Sequence, residues 1–214
     1  IEPGLYLVAT PIGNLDDITI RALNILKNSN LILCENTINS KKLLNKYGIK
    51  TKINKYTDHD FERQKNRVLD LIKKDKKTVA IISDSGSPLI SDPGSQLINY
   101  LFQNGAKVIS IPGPSALIAG IQLSGFLNKK KFSFLGFLPK KNDQKINIIR
   151  ENLKNNLIIY STKQQIEKDI DAVVGLSDDY EIIIMRELTK IHEERIMVNP
   201  SNIKNTDLKN LKGE

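Results

Sequence analysis

Apolar positions along the chain alternate between two textures. Short unbroken runs at 5–9, 31–34, 78–83 and 107–111 have the length and β-branched content of buried strands. Between them the apolar positions take helical spacing. Ile18, Ala22, Ile25 and Leu26 share one face, with Asp17 placed to cap it. Residues 41–47 form a short helix that Gly48 ends. Phe61, Val68, Leu69 and Ile72 line another, and Leu97, Ile98, Leu101 and Phe102 a third, which Gly105 stops. Strand and helix in alternation predict a parallel sheet with crossover helices.

Beyond Pro112 the pattern changes. Residues 115–124 are small and apolar throughout, which predicts a helix buried on every face. An extended segment at 132–138 follows, then a helix at 143–154, a strand at 157–160, a helix at 164–174 and a strand at 181–186. The boundary falls between Pro112 and Lys131. The expected fold is two α/β domains, 1–113 and 114–214.

Composition narrows the class. The 214 residues (24.1 kDa) are 40% hydrophobic and 26% charged, enough apolar material for a core. No apolar run approaches the roughly 20 residues that cross a bilayer. The opening Ile1-Glu2-Pro3-Gly4 lacks the basic and apolar regions of a signal peptide. The expectation is a cytoplasmic protein with no membrane partner. One cysteine, Cys34, excludes an internal disulfide and reads as a core thiol. Two histidines, His59 and His192, are too few and too separated for a metal cluster, so no metal is expected. Asp58-His59-Asp60 reads as a helix start.

The net charge of +8 changes the picture less than it first suggests. Twenty-six lysines against six arginines, with 21 Asn and 31 Ile, is the product of AT-rich coding whatever the function. Its distribution says more: residues 41–77 hold 13 basic against 5 acidic groups, and 129–145 hold 6 against 1. Both are candidate polyanion contacts.

In open α/β sheets, ligands collect beyond the carboxyl ends of the strands. Three such loops are rich in Pro, Gly and small hydroxyl residues: Thr10-Pro11-Ile12-Gly13-Asn14-Leu15-Asp16-Asp17, then Ser83-Asp84-Ser85-Gly86-Ser87-Pro88 running on to Ser91-Asp92-Pro93-Gly94, then Pro112-Gly113-Pro114-Ser115-Ala116. Glycine lets backbone approach a ligand, and proline holds loop shape in advance. A dinucleotide site would also place an acid such as Glu35, 22 residues after Gly13, at the second strand's end. The first loop carries one glycine where that fingerprint needs three, which argues against it.

These loops, with Gly136-Phe137-Leu138-Pro139 and Arg186-Glu187-Leu188-Thr189-Lys190, closely resemble the ribosomal RNA small subunit methyltransferase I family of the tetrapyrrole methylase superfamily. The resemblance runs over essentially the whole chain. It implies S-adenosylmethionine as cofactor, S-adenosylhomocysteine as product, and 2′-O-methylation of a cytidine ribose in the decoding region of 16S rRNA. It also implies two α/β domains with the cofactor in a cleft between them, and a homodimer acting on the small ribosomal subunit. By motif matching, the cofactor-binding residues are Pro11, Asp84, Ser85, Gly86, Ser87, Pro88, Ser91, Pro114, Ser115 and Ala116. Departures occur where the family reads Glu-Asp-Thr-Arg-His and this chain has Glu35-Asn36-Thr37-Ile38-Asn39. They recur where a Glu and a His-Arg pair give way to Ser161-Thr162-Lys163-Gln164-Gln165. The chain ends at Lys212-Gly213-Glu214, where the family continues into a further strand and a basic tail, so the second domain is expected to be truncated. For the hydroxyl proton, Glu35, Asp84, Asp92 and Glu187 are acceptor candidates; Glu187 and Glu35 are the catalytic assignments and Asp84 goes to the cofactor. A tetrapyrrole-type small-molecule methylase and a non-catalytic RNA-binding relic are the alternatives.

Overall fold

The computed structural model describes residues 1–125, 131–176 and 181–198, which form two compact units, the first Ile1–Ser115 and the second beginning at Ala116. The first is a five-stranded parallel sheet. Its strands are β1 (Gly4–Val8), β2 (Leu31–Cys34), β3 (Ile53–Lys55), β4 (Thr78–Ile82) and β5 (Val108–Ile111), in the order β3-β2-β4-β1-β5. The first strand in sequence is thus interior, with Leu5 in register with Val79 on one side and Val108 on the other.

The unbroken apolar runs follow from burial on both faces. Along β2, Ile32 and Cys34 enter one core cluster while Leu31 and Leu33 enter the other; along β4, Ala80 and Ile82 alternate in the same way with Val79 and Ile81. The first cluster is covered by α1 (Ile20–Asn28) and α2 (Thr37–Lys46), through Ala22, Leu26, Leu43 and Leu44. The second is covered by α3 (Phe61–Lys73) and α4 (Ser95–Gln103), through Val68, Ile72, Leu97 and Leu101.

Helix starts are set by local polar chemistry. The cap of α1 is Thr19, whose hydroxyl accepts from the Ala22 N–H at 3.0 Å, and not Asp17, which belongs to a preceding 3₁₀ turn. Thr19 wins because a cap must stand two or three residues ahead of the N–H it satisfies. Asn36 caps α2, its side-chain oxygen accepting from Ile38 and Asn39. A 3₁₀ turn at Asp58–Asp60, closed by a Thr57–Asp60 capping box, leads into α3.

The second unit holds α5 (Ala116–Ser124), β6 (Phe132–Phe137), α6 (Asn142–Asn152), β7 (Asn156–Tyr160), α7 (Ile166–Val174), β8 (Ile182–Arg186) and β9 (Glu194–Val198). Strands β6 and β7 pair in parallel, with a register shift between Phe134 and Gly136; β8 and β9 pair antiparallel. The expectation that residues 115–124 are buried on every face is corrected. Within α5 only Gly120 and Ser124 are buried, and Ile118 and Leu123 are exposed. One stripe meets β8, where a Cβ on Gly120 would lie 3.6 Å from the Met185 methyl carbon. A helix of uniformly apolar residues carries no periodic signal to say which stripe that is. Ile170, Ile184 and Val198 form this unit's apolar centre, and beside it the Lys145 ammonium is buried against Asp169. The Ser161 hydroxyl donates to the other Asp169 oxygen.

Candidate functional site

Because β4, β1 and β5 are adjacent and parallel, the three small-residue loops leave the same edge of the sheet. They are bonded to one another. Thr10 and Gly86 form an isolated antiparallel bridge, with the Thr10 N–H donating to Gly86 O at 2.8 Å and the Gly86 N–H to Thr10 O at 3.1 Å. The Ser83 hydroxyl donates to Gly86 O at 3.1 Å, and the Ser87 hydroxyl to Pro114 O at 3.1 Å. The second loop is therefore tied to both others before any ligand arrives.

Glycine is required at two points. Gly86 has φ +79°, and a Cβ there would lie 3.1 Å from the Ile12 methyl carbon. At Gly113 a Cβ would meet that of Ala9 at 3.0 Å. Leu89 and Ser91 also take left-handed φ, +73° and +71°, a conformation that costs free energy in non-glycine residues and gathers at functional loops. Pro11, Gly86 and Pro88 are buried, whereas Asp84, Ser85 and Ser91 are exposed. The Asp84 carboxylate accepts from the Asn39 side chain at 2.9 Å. That one bond uses part of a carboxylate's acceptor capacity and leaves room for hydroxyl or ammonium donors.

On the flank toward β3, the ends of β2, β3 and β4 bound a small and mainly apolar depression, lined by Ile81, Ile82, Pro88 and Pro93 together with Cys34, Glu35, Tyr56, Ser83 and Asp92. Burial pushes the Asp92 carboxyl up to about 6, with the charges of Glu35 and Asp84 adding to it. Burial likewise raises the Cys34 thiol, consistent with a core group. Among the described residues no group of three or more His, Cys, Asp or Glu could hold a metal ion, and no helix is long and apolar enough to cross a membrane.

A family model for tetrapyrrole (corrin/porphyrin) methylases matches residues 4–202. The chain is 42% identical over 196 residues to the ribosomal RNA small subunit methyltransferase I of Rickettsia prowazekii, covering 91% of this chain and 69% of that one. It is 40% identical to the protein of that name from Hydrogenobaculum, covering 98% and 92%. The chain belongs to the tetrapyrrole methylase family, in its ribosomal RNA small subunit methyltransferase I branch. The fold is shared much more widely. Diphthine synthase superposes with TM-score 0.71 at 17% identity, over 95% of this chain and 85% of that one. A Thermus thermophilus uroporphyrin-III C-methyl transferase complexed with S-adenyl homocysteine gives 0.68 at 14%, over 94% and 90%.

In this methyltransferase I-branch chain, the first unit contains Pro11, Asp84, Ser85, Gly86, Ser87, Pro88, Ser91, Pro114 and Ser115, together with Glu35; Ala116 opens α5. Glu35 is exposed at the rim of the depression. Glu187 follows β8 in the second unit with φ +52°, and its carboxylate accepts from Lys190 at 3.0 Å. Lys129 and Lys130 lie outside the described residues, as do residues 199–214. Sequence reading passed over Tyr56, which is buried beside the depression, its hydroxyl without a hydrogen-bond partner among the described residues. A lone tyrosine after an unrecognised strand gives no pattern to find it by.

Proposed function

We propose that this chain is an S-adenosylmethionine-dependent methyltransferase of 16S rRNA in the small ribosomal subunit, acting in the cytoplasm on the 2′-hydroxyl of a cytidine in the decoding region. The observation that carries this reading is identity of about 40% over nearly the whole chain to proteins named for rRNA small subunit methylation. The mutually bonded loops on one sheet edge support it, because they supply a preformed cradle at the place where this class of sheet binds ligands.

In this reading Pro11, residues 84–88, Ser91, Pro114, Ser115 and Ala116 hold the cofactor. Asp84 receives its ribose hydroxyl or ammonium group, and Gly86 permits close backbone approach. When bound, the sulfonium supplies an electrophilic methyl carbon. The remaining work of the protein is to place the ribose oxygen in line with it. Such positioning contributes up to about 7–11 kcal/mol in favourable cases. The exposed lysines of residues 41–77 supply the contact to RNA phosphates, and two copies of the chain form the working unit. Sedimentation at micromolar concentration is expected to give twice 24.1 kDa.

The test is incubation of tritiated S-adenosylmethionine and the protein with small subunits that lack the modification. Label in 16S rRNA at a ribose 2′-oxygen supports the reading. Label only in a tetrapyrrole, or RNA binding with no label, replaces it.

A further inference from the structure

Strand β6 breaks its regular pairing close to its carboxyl end, and the break does not bury what it moves. Up to Phe134 the strand pairs with β7 residue for residue, Phe132 with Asn156 and Phe134 with Ile158. Beyond it the register shifts, so that Gly136 stands opposite Ile159 and Phe137 opposite Tyr160. Gly136 accommodates the irregularity at φ +62°. In an unbroken strand, residues three apart point to opposite faces. The shift cancels that alternation and gathers Phe134 and Phe137 about one ring, with centroids 4.9 and 5.6 Å from that of Tyr160. Phe137 nevertheless stays 56% exposed, and Phe134 and Tyr160 are only partly covered.

The loops that leave this carboxyl edge are basic. Leu138-Pro139-Lys140-Lys141 follows β6, and Ser161-Thr162-Lys163-Gln164-Gln165 follows β7. Lys140, Lys141 and Lys163 are exposed, and neither loop holds an acid. The second loop is fixed at its start, where the Ser161 hydroxyl donates to Asp169, whose charge Lys145 already balances.

Rings half in water beside exposed cations suit a partner whose flat apolar faces are joined by negative charge. The cofactor does not match, since its sulfonium and ammonium are themselves cationic and it carries no phosphate. A second copy of the chain seated here about a two-fold axis brings the same lysines against one another. An RNA strand matches both parts, because an unstacked base lies on an aromatic ring while lysines take its phosphates.

We propose that the Phe137 face at the carboxyl end of β6 and β7 is a stacking platform for an unpaired base of the RNA substrate, with Lys140, Lys141 and Lys163 holding the adjoining phosphates. The inference rests on the rRNA reading given above and gives the second unit its own share of the RNA contact. Every base has a π-face, so the platform orients the strand without selecting its sequence.

The experiment is binding of unmodified small subunits over a range of salt, with cofactor affinity followed by calorimetry and mass by sedimentation. Phe137→Ala is expected to weaken subunit binding about tenfold, the loss of one base stack, and to keep the parent's salt slope, cofactor affinity and mass. Phe137→Trp is expected to bind as the parent does. Phe137→Leu is expected to bind as weakly as the alanine variant, since it keeps apolar contact but has no ring face. Changing Lys140 and Lys141 to Ala is expected to lower the salt slope by about 1.4, at about 0.7 for each single-strand phosphate. Phe102→Ala removes a ring 58% exposed on α4 and is expected to leave subunit binding unchanged. The proposal is overturned if folded Phe137→Ala binds subunits as tightly as the parent, or if Phe137→Leu matches Phe137→Trp. It is equally overturned if the loss appears in cofactor affinity or mass instead, if the lysine variant keeps the parent slope, or if Phe102→Ala costs as much. A parent that labels rRNA while Phe137→Ala binds subunits unaltered removes this inference alone. A parent that neither binds subunits nor labels them removes the functional reading as well.

Discussion

In the first unit, Val79, Leu97 and Leu101 are fully buried, and β2 and β4 at the centre of the sheet are buried at every residue between two apolar layers. In the second, all five residues of β7 remain partly exposed, and one of the most deeply buried large side chains is a lysine, Lys145. The first unit is held by area removed from water, which is insensitive to angle and tolerant of small shifts. The second adds a charge pair with its own hydrogen-bonded serine, which tolerates neither a lost partner nor a misplaced one. The contrast matches what each carries. A rigid apolar sandwich fixes the loop edge in place, and its polar groups are free to face a ligand.

The largest expected effect breaks the comparison at Lys145. Lys145→Met leaves the Asp169 carboxylate buried without its cation and is expected to cost about 3–5 kcal/mol in urea unfolding of the whole chain. Adding Asp169→Leu is expected to restore most of that loss. A cost below about 1 kcal/mol for the single variant means that the pair does not hold the second unit together. In the first unit the corresponding probe is Asp84→Ala, which removes an exposed acceptor and leaves the core intact. Cofactor affinity is expected to fall roughly 10- to 100-fold, the equivalent of one charge-assisted hydrogen bond, with the melting temperature unchanged. Unchanged calorimetric binding would remove Asp84 from the site.

A smaller effect on stability is expected at Asp92. The Asp92 pKa is raised in the folded state to about 6, so protonation favours the fold. Relative to Asp92→Asn, the parent is destabilised above pH 6. The gap closes as pH falls from about 6 toward the unfolded aspartate value near 4. Because the group is only half-buried, the gain in Asp92→Asn at pH 7 is expected to be on the order of 1 kcal/mol, measured by unfolding at pH 7 and again at pH 4. Equal gains at both pH values would contradict the assignment. The smallest effect concerns the basic stretch 129–145. Changing Lys129, Lys130 and Lys131 to Ala is expected to lower the salt slope of RNA binding by about two to three, with cofactor binding intact. An unchanged slope would mean that these lysines do not touch phosphate.

Sequence periodicity located the strands of the first unit to within a residue wherever burial on both faces made them continuous, as at Leu31–Cys34. It passed over β3, whose three residues Ile53-Asn54-Lys55 are too few and too polar to stand out. It also passed over β9, where Glu194 and Arg195 interrupt the apolar spacing. The small-residue loops were legible because their composition is itself the signal. Tyr56 was not legible as a lining residue. It stands beside Cys34 only because β3 flanks β2 in the sheet, an order that no local pattern encodes. The capping of α1 was misplaced by two residues, since Asp17 and Thr19 are both competent caps and only backbone geometry chooses between them.

The interior place of β1 has a consequence for how the chain is made. Its neighbours β4 and β5 begin 74 and 104 residues after Gly4, at Thr78 and Val108, so β1 leaves a ribosome well before either of its partners does. Until β5 has emerged, Leu5 and Tyr6 lack one of their two strand neighbours, and the loop that begins at Pro112 has not joined the others. Contacts of such long sequence separation are slow to form and leave apolar strand surface open while the chain waits. Synthesis should therefore make heavier use of a holding chaperone between the emergence of β1 and that of β5 than after it.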